Sequence, residues 1–345
     1  MPQRSTIVRN TVSFLVPTIL VVAAVGWFFV ELQPVEKNSE ATVAVTIEAN
    51  SGVNAIATKL EEQGLIRSRL AFQVAVVLAG IGKDLQAGTY EFTRGQSATA
   101  IARAMSKGPD TKEVELTVVE GWTIKQIGQQ LEKEGLGTAQ GFIVTASTHD
   151  SRDLFPNEPF DFLSGRPTTA TLEGYLFPDT YRFFPDATAQ DVVKKLLLNF
   201  GTKLTSTLRG EIAAQGRTIH EVVTLASIVE REVRTDRDRG LVADIFWRRL
   251  GIGMPLQSDA TVNYVTGKSA LQPTLTDTEV DSPYNTYRVR GLPPGPIGNP
   301  GLASLTATIR PITNDNLYFL TDSSGAVHYA KTYEDHLANK RQYLE

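Results

Sequence analysis

Residues 219 to 234 read IHEVVTLASIVEREVR, and the rest of the chain is organised around them. Val222, Ala226, Val229 and Val233 recur at three- and four-residue steps, which predicts one amphipathic helix. Thr218 stands where its N-cap belongs. Glu230 falls at the edge of the apolar stripe, with Val223, Ala226 and Ser227 on the same side. Two of those three are small and leave room for a carboxyl. A carboxyl at such a border is partly desolvated, and a group of that kind can donate a proton near neutral pH. The plain alternative is a solvated carboxylate paired with Arg234, one turn further on.

The chain has 345 residues, room for two domains, with 41% hydrophobic and 21% charged residues, as in ordinary globular protein. The net charge is -4 and the basic residues are scattered, so nucleic acid is not an expected partner. There is no cysteine, which excludes disulfides, thiolate metal sites and cysteine nucleophiles. The histidines His149, His220, His328 and His336 lack close ligand spacing, so neither a metal nor a cofactor is expected.

Asn10 to Val30 carries no charge and is long enough to span a bilayer as one helix, with Trp27, Phe28 and Phe29 at its far end. Arg4 and Arg9 precede it and Glu31, Glu36 and Glu40 follow, so the N-terminus is expected inside and the remainder exported. Cleavage near Ala23-Ala24 is the alternative, but the apolar run continues past that point and favours a retained anchor. The expected order is a cytoplasmic tail to residue 10, a span over 11–30, a linker to 42 and a strand–helix module over 43–110. A second strand–helix segment and junction over 111–167 and a larger mixed α/β domain over 168–345 complete an α+β fold.

In the first module a strand, VAVTI, is followed by a helix that Ser51 can cap and Gly64 ends, then by a second helix capped by Ser68 and a closing strand near Tyr90. Ile56 to Leu65 and Ile127 to Leu136 both read I-x-x-x-L-E-x-x-G-L, an internal echo of one strand–helix unit. Thr145 to Pro167 reads as a polar surface loop or junction, and Arg234 to Gly240 as a solvated charge cluster without chemistry.

Two further stretches suit a sugar. Thr171 to Tyr181, TLEGYLFPDTY, brings Tyr175, Phe177 and Tyr181 together with Glu173 and Asp179: rings that can stack on sugars, or fill a core, beside acceptors for hydroxyls. Ser282 to Gly301, SPYNTYRVRGLPPGPIGNPG, holds five prolines and four glycines and is therefore a stiff loop. Its Tyr284, Asn285, Tyr287 and Asn299 suit a carbohydrate wall, and Pro293 to Pro296 also fits a polyproline ligand. Gln257, Ser258 and Asp259 could face a cleft or merely cap a helix.

The segment from Val43 to Phe92 resembles LysM modules, which bind N-acetylglucosamine polymers. LEGYLFPDTY, LASIVERE, LQSDATVNY and the proline-rich loop, in that order, resemble the MltG (YceG-like) endolytic murein transglycosylases from about Val43 to the C-terminus. The resemblance implies a single-pass inner-membrane enzyme with its catalytic domain in the periplasm. It implies cleavage of nascent peptidoglycan strands between N-acetylmuramic acid and N-acetylglucosamine, leaving 1,6-anhydromuramoyl ends. Glu230 takes the position of the family's essential glutamate, which implies that it serves as both acid and base, without water or a second nucleophile. Peptidoglycan synthases and division or elongation proteins are the implied neighbours. The chain departs from the family pattern at Arg248-Arg249-Leu250 and at His336-Leu337, away from the acid. We assign sugar contacts to Glu173, Asp179, Gln257, Tyr284, Asn285, Tyr287 and Asn299. Two alternatives stay open: a hydrolase using Glu173 or Asp179 as second carboxylate, and a non-catalytic, membrane-anchored LysM-type wall-binding protein.

Overall fold

The computed structural model describes residues 20–48, 50–109, 113–148, 154–155, 158, 160–268 and 273–344. The expected span begins outside them; a helix, α1, runs over 20–31. Among the described residues no helix is long and apolar enough to cross a membrane. The chain divides into two compact units, Met1–Lys112 and Glu113–Glu345.

The first unit is built on a β-α-α-β module. Strand β1 (Thr42–Ile47) pairs antiparallel with β2 (Gly88–Thr93), with Val45 opposite Tyr90 and Val43 opposite Phe92. Between them lie α2 (Val53–Glu62) and α3 (Arg69–Ala79), and α4 (Ala98–Lys107) follows. Strand alternation turns Val45, Ile47, Tyr90 and Phe92 onto one core with Ile56, Leu60, Phe72 and Ile101. Ser68 caps α3 as expected, whereas the N-cap of α2 is Gly52 and not Ser51.

The second unit repeats that module. Strand β3 (Val114–Thr117), α5 (Ile124–Lys133) and α6 (Ala139–Ala146) are closed by β4 (Thr180–Phe183), antiparallel to β3 with Leu116 opposite Tyr181. The internal echo in the sequence therefore belongs to two β-α-α-β modules, the second completed by a strand far downstream. Phe155, Phe162 and Leu163, from the stretch that reads as a polar junction, are buried in its core. So are Tyr175, Phe177, Tyr181 and Phe183, which settles that aromatic run as core filling.

Helices α7 (Ala189–Lys203), α8 (Ser206–Ala214), α9 (Ile219–Glu232), α10 (Asp236–Gly251) and α11 (Asp259–Thr266) follow. Then come the short α12 (Leu275–Thr278), α13 (Leu302–Ile309), the hairpin β5 (Tyr318–Thr321) and β6 (Val327–Ala330), and α14 (Tyr333–Tyr343). Helix α9 is the spine. Val222 to Val229 are all buried, because one core takes Val222, Val223 and Ala226 while another takes Leu225, Ile228 and Val229. A helix buried all round has its apolar stripe widened into a sleeve. Thr218 and Glu221 start it with reciprocal capping bonds of 3.1 and 2.7 Å, satisfying two of its free amides.

Candidate active site

The last turn of α9 carries Glu230 to the edge of this sleeve. Its side chain is only 5% exposed, and both carboxyl oxygens accept hydrogen bonds. Arg239 donates from Nη2 to Oε1 at 3.2 Å, and the Gly301 amide donates to Oε2 at 2.9 Å. Gly301 is the N-cap of α13, so the carboxylate also faces the positive end of a helix. Glu230 does not pair with Arg234. Its partner comes from the charge cluster that reads as a loop without chemistry. That cluster is the opening of α10, capped by Thr235, and places Arg239 one turn inside it. Arg239 also holds Asp236 at 2.9 Å.

The proline-stiffened loop reaches Glu230 through a network built on Asn299. The Gly121 amide donates to the Asn299 carbonyl at 2.7 Å, and the Asn299 amide donates to the Trp122 carbonyl at 2.8 Å. Asn299 Nδ2 donates to the Trp122 carbonyl and to Glu173 Oε1, and Oδ1 accepts from the Leu176 amide. Gly298 has no room for a Cβ, which would stand 2.5 Å from the Gly121 carbonyl oxygen. Ser227, on the inner side of α9, accepts from the Ile297 amide at 3.0 Å. Three loops thus meet on α9 through backbone groups, and two glycines make the approach possible.

Asn299 is therefore a fully buried structural hub and not a wall residue. Asn285 is the same kind of group: it is fully buried, donating to the carbonyls of Thr278 and Val280 and accepting from the Tyr287 amide. Glu173 is buried beneath the loops, where the Ile124 amide, at the start of α5, donates to its carboxyl. Burial pushes its pKa up to about 8, against the Ile124 and Asn299 donors and Arg231, which pull it down. Asp179 lies elsewhere. Its carboxylate accepts from Asn199 Nδ2 at 3.0 Å and faces Lys203, both on α7, and the Asn199 bond leads in holding its pKa low. Among the described residues neither carboxylate shares a hydrogen-bond partner with Glu230.

The other expected sugar contacts form a separate group. Gln257 is exposed and holds a left-handed backbone, φ 52°, with its amide donating to the Thr286 carbonyl. Beside it, Ser258 donates to Glu232 instead of capping α11. Burial raises Glu232 to about 7, opposed first by the Ser258 bond. Tyr287 donates to Asp259 at 2.6 Å, and Tyr284 packs its ring 5.2 Å from that of Tyr264.

Glu120 is the carboxyl that the sequence reading passes over. It precedes the turn at Gly121, φ 77°, and a Cβ on Gly301 would overlap its Oε1. The Gly121 turn lies against α9, where a Cβ would meet Glu230 Cγ at 3.6 Å. Partial burial, then the Glu230 carboxylate, raise the pKa of Glu120, while Arg239 pulls it down. The signal available in the sequence was an acid directly before a turn glycine and a capped helix. Among the described residues no cluster of His, Asp and Glu is arranged to hold a metal ion. A cavity of roughly 320 Å3 opens at the other end of α9, lined by Pro167, His220, Trp247 and Pro294. It lies about 15 Å along the helix from Glu230, at 1.5 Å per residue, and the carboxyl geometry decides the site.

A mixed α+β protein with an arginine-clamped glutamate beneath a proline-stiffened loop defines the class. The chain belongs to the YceG-like family, whose profile it matches over residues 45–342. It is 35% identical over 318 residues to the endolytic murein transglycosylase of Bacillus subtilis (strain 168), covering 91% of this chain and 88% of that one. It is 33% identical over 360 residues to the endolytic murein transglycosylase of Streptococcus pneumoniae (strain D39), covering 96% of this chain and 65% of the relative. The crystal structure of a yceG-like protein from Listeria monocytogenes is similar at a TM-score of 0.59 and 32% identity, over 87% of this chain and 99% of that one.

Proposed function

We propose that the chain is an endolytic peptidoglycan lytic transglycosylase. It cuts between N-acetylmuramic acid and N-acetylglucosamine and leaves 1,6-anhydro ends. The observation that carries this reading is Glu230, clamped at the end of a buried helix by Arg239 and by the Gly301 amide of the proline-rich loop. The names of its relatives support it. The reaction needs a proton delivered to the glycosidic oxygen and a carboxylate to take one from the sugar's own 6-hydroxyl, which attacks the anomeric carbon. Glu230 is the carboxylate of that exchange, and in the simplest scheme it also delivers the first proton. A hydrolase would require a second carboxylate across the sugar ring. Glu173 beneath its loops and Asp179 against α7 are engaged elsewhere.

The apolar, uncharged stretch over 11–30 supports an inner-membrane anchor with a cytoplasmic N-terminus and a periplasmic catalytic half. An enzyme tethered there works on strands as they leave their synthases, and those synthases with their division or elongation partners are its expected neighbours. The β-α-α-β module of the first unit supports a glycan-holding role beside the catalytic one. Uncrosslinked glycan strands digested with wild type and with Glu230→Gln, and the products weighed, test the reading. Wild type is expected to yield fragments one water lighter than hydrolysis products, and the variant none. Reducing-end products, or cleavage by a folded variant, would refute it.

A further inference from the structure

The site contains two carboxyls around one glycine, and they differ in what surrounds them. Glu230 is covered, and both its oxygens already accept from donors, Arg239 and the Gly301 amide. That is the surrounding of an acceptor-only carboxylate. Glu120 is exposed, and its carboxyl has no hydrogen bond or ion pair among the described residues. It presses on Gly301, at the place a side chain would occupy. We propose that Glu120 is a second catalytic residue, the group that holds the proton in the resting site and gives it to the glycosidic oxygen. This rests on the transglycosylase reading above and divides its proton traffic between two side chains.

The chemistry closes. The protonated Glu120 gives its proton to the bridging oxygen as the bond from the anomeric carbon breaks. The bonding pair stays with that oxygen, and the N-acetylglucosamine portion leaves with a free 4-hydroxyl. The 6-hydroxyl oxygen bonds to the anomeric carbon and its proton passes to the Glu230 carboxylate. Transfer of that proton from Glu230 to Glu120 restores the pair, with no water consumed. The β-linked bridging oxygen and the 6-hydroxyl lie on the same face of the muramoyl ring, so donor and acceptor belong side by side. Two carboxyls that both contact Gly301 meet that demand, and a pair placed across the ring would not. The groups facing Glu120 fit the role: the Glu230 carboxylate and Asp236 favour its acid form, and Arg239, which opposes it, is shared between Glu230 and Asp236.

The test uses the full chain in detergent micelles, with Glu120→Gln and Glu230→Gln, each checked for wild-type melting. Two substrates are compared: natural glycan strands, and a glycan oligomer whose muramoyl residue carries a β-linked 2,4-dinitrophenyl group. Dinitrophenolate leaves without being protonated. Glu120→Gln is expected to lose about 10²- to 10⁴-fold on natural strands and to regain most of that loss on the aryl substrate. Its natural-strand rate is also expected to lose the fall at high pH that marks a titrating acid. Glu230→Gln stays inactive on both. Undiminished activity of folded Glu120→Gln, or equal loss on the two substrates, would overturn the assignment of Glu120 and leave the transglycosylase reading standing. The Glu230→Gln arm and the anhydro product test that reading separately.

Discussion

Replacing Asn299 by alanine separates a structural hub from a sugar contact. The side chain is fully buried and makes three hydrogen bonds: from the Leu176 amide, to the Trp122 carbonyl, and to Glu173. Alanine leaves the Leu176 amide with no acceptor at that place, at about 1–3 kcal/mol. The Trp122 carbonyl keeps the Asn299 amide and Glu173 keeps Ile124, so these two losses cost about 0.5–1.5 kcal/mol each. The sum is about 2–6 kcal/mol, which lowers the melting temperature of a unit this size by about 4–24 °C. Thermal melting of the full chain in micelles, followed by circular dichroism, measures it. Asn299→Asp is expected to melt no higher than the alanine variant, because it sets a second carboxyl beside Glu173 and loses both donated bonds. A sugar contact behaves in the opposite way: aspartate is mild, stability is unchanged and only KM rises. A melting point within about 2 °C of wild type, with activity lost, would refute the reasoning.

Gly301→Ala is expected to fold and to lose activity about 10²-fold or more, since a methyl group at 301 displaces Glu120 from its place beside Glu230. Strand digestion alongside a melting curve measures both. Stability is expected to fall as pH rises from about 5 to 8. Glu173 and Glu232 have pKa values raised to about 8 and about 7, so above the ordinary carboxylate range the folded state binds more protons than the unfolded one. That extra stability is present at low pH and is lost as pH climbs through the folded values. Glu173→Gln should flatten the slope of denaturation midpoint against pH, and an unchanged slope would count against it.

What the sequence made legible follows from the range of each interaction. Caps at Ser68 and Thr218 are local, and they stand where the sequence places them. The helix of Glu230 was readable because its apolar spacing repeats within one segment. Its ion partner was not: Arg239 sits among alternating charges, and only folding selects one of them. The arginine at i+4 looked equivalent on paper, but α9 ends at Glu232 and turns before reaching it. Asn285 and Asn299 suit a sugar because amides suit hydroxyls, yet an amide suits buried backbone equally well, and only burial distinguishes the two. Strand β4 was hidden in an aromatic run whose partner strand lies 63 residues earlier, at the Thr117–Thr180 pair.

The reach of the Asn299 bonds bears on how the protein comes to life. They link positions 177, 126 and 123 residues apart, and the Glu230–Gly301 bond closes a 71-residue interval. Contacts of such separation form late, after the entropy of the intervening chain has been spent. A nascent polypeptide carries Glu120 and Glu230 out of the ribosome well before Gly301. Until the last fifth of the chain has been made and docked, the two acids have nothing to stand around, and a cutter of the wall remains blunt during its own synthesis.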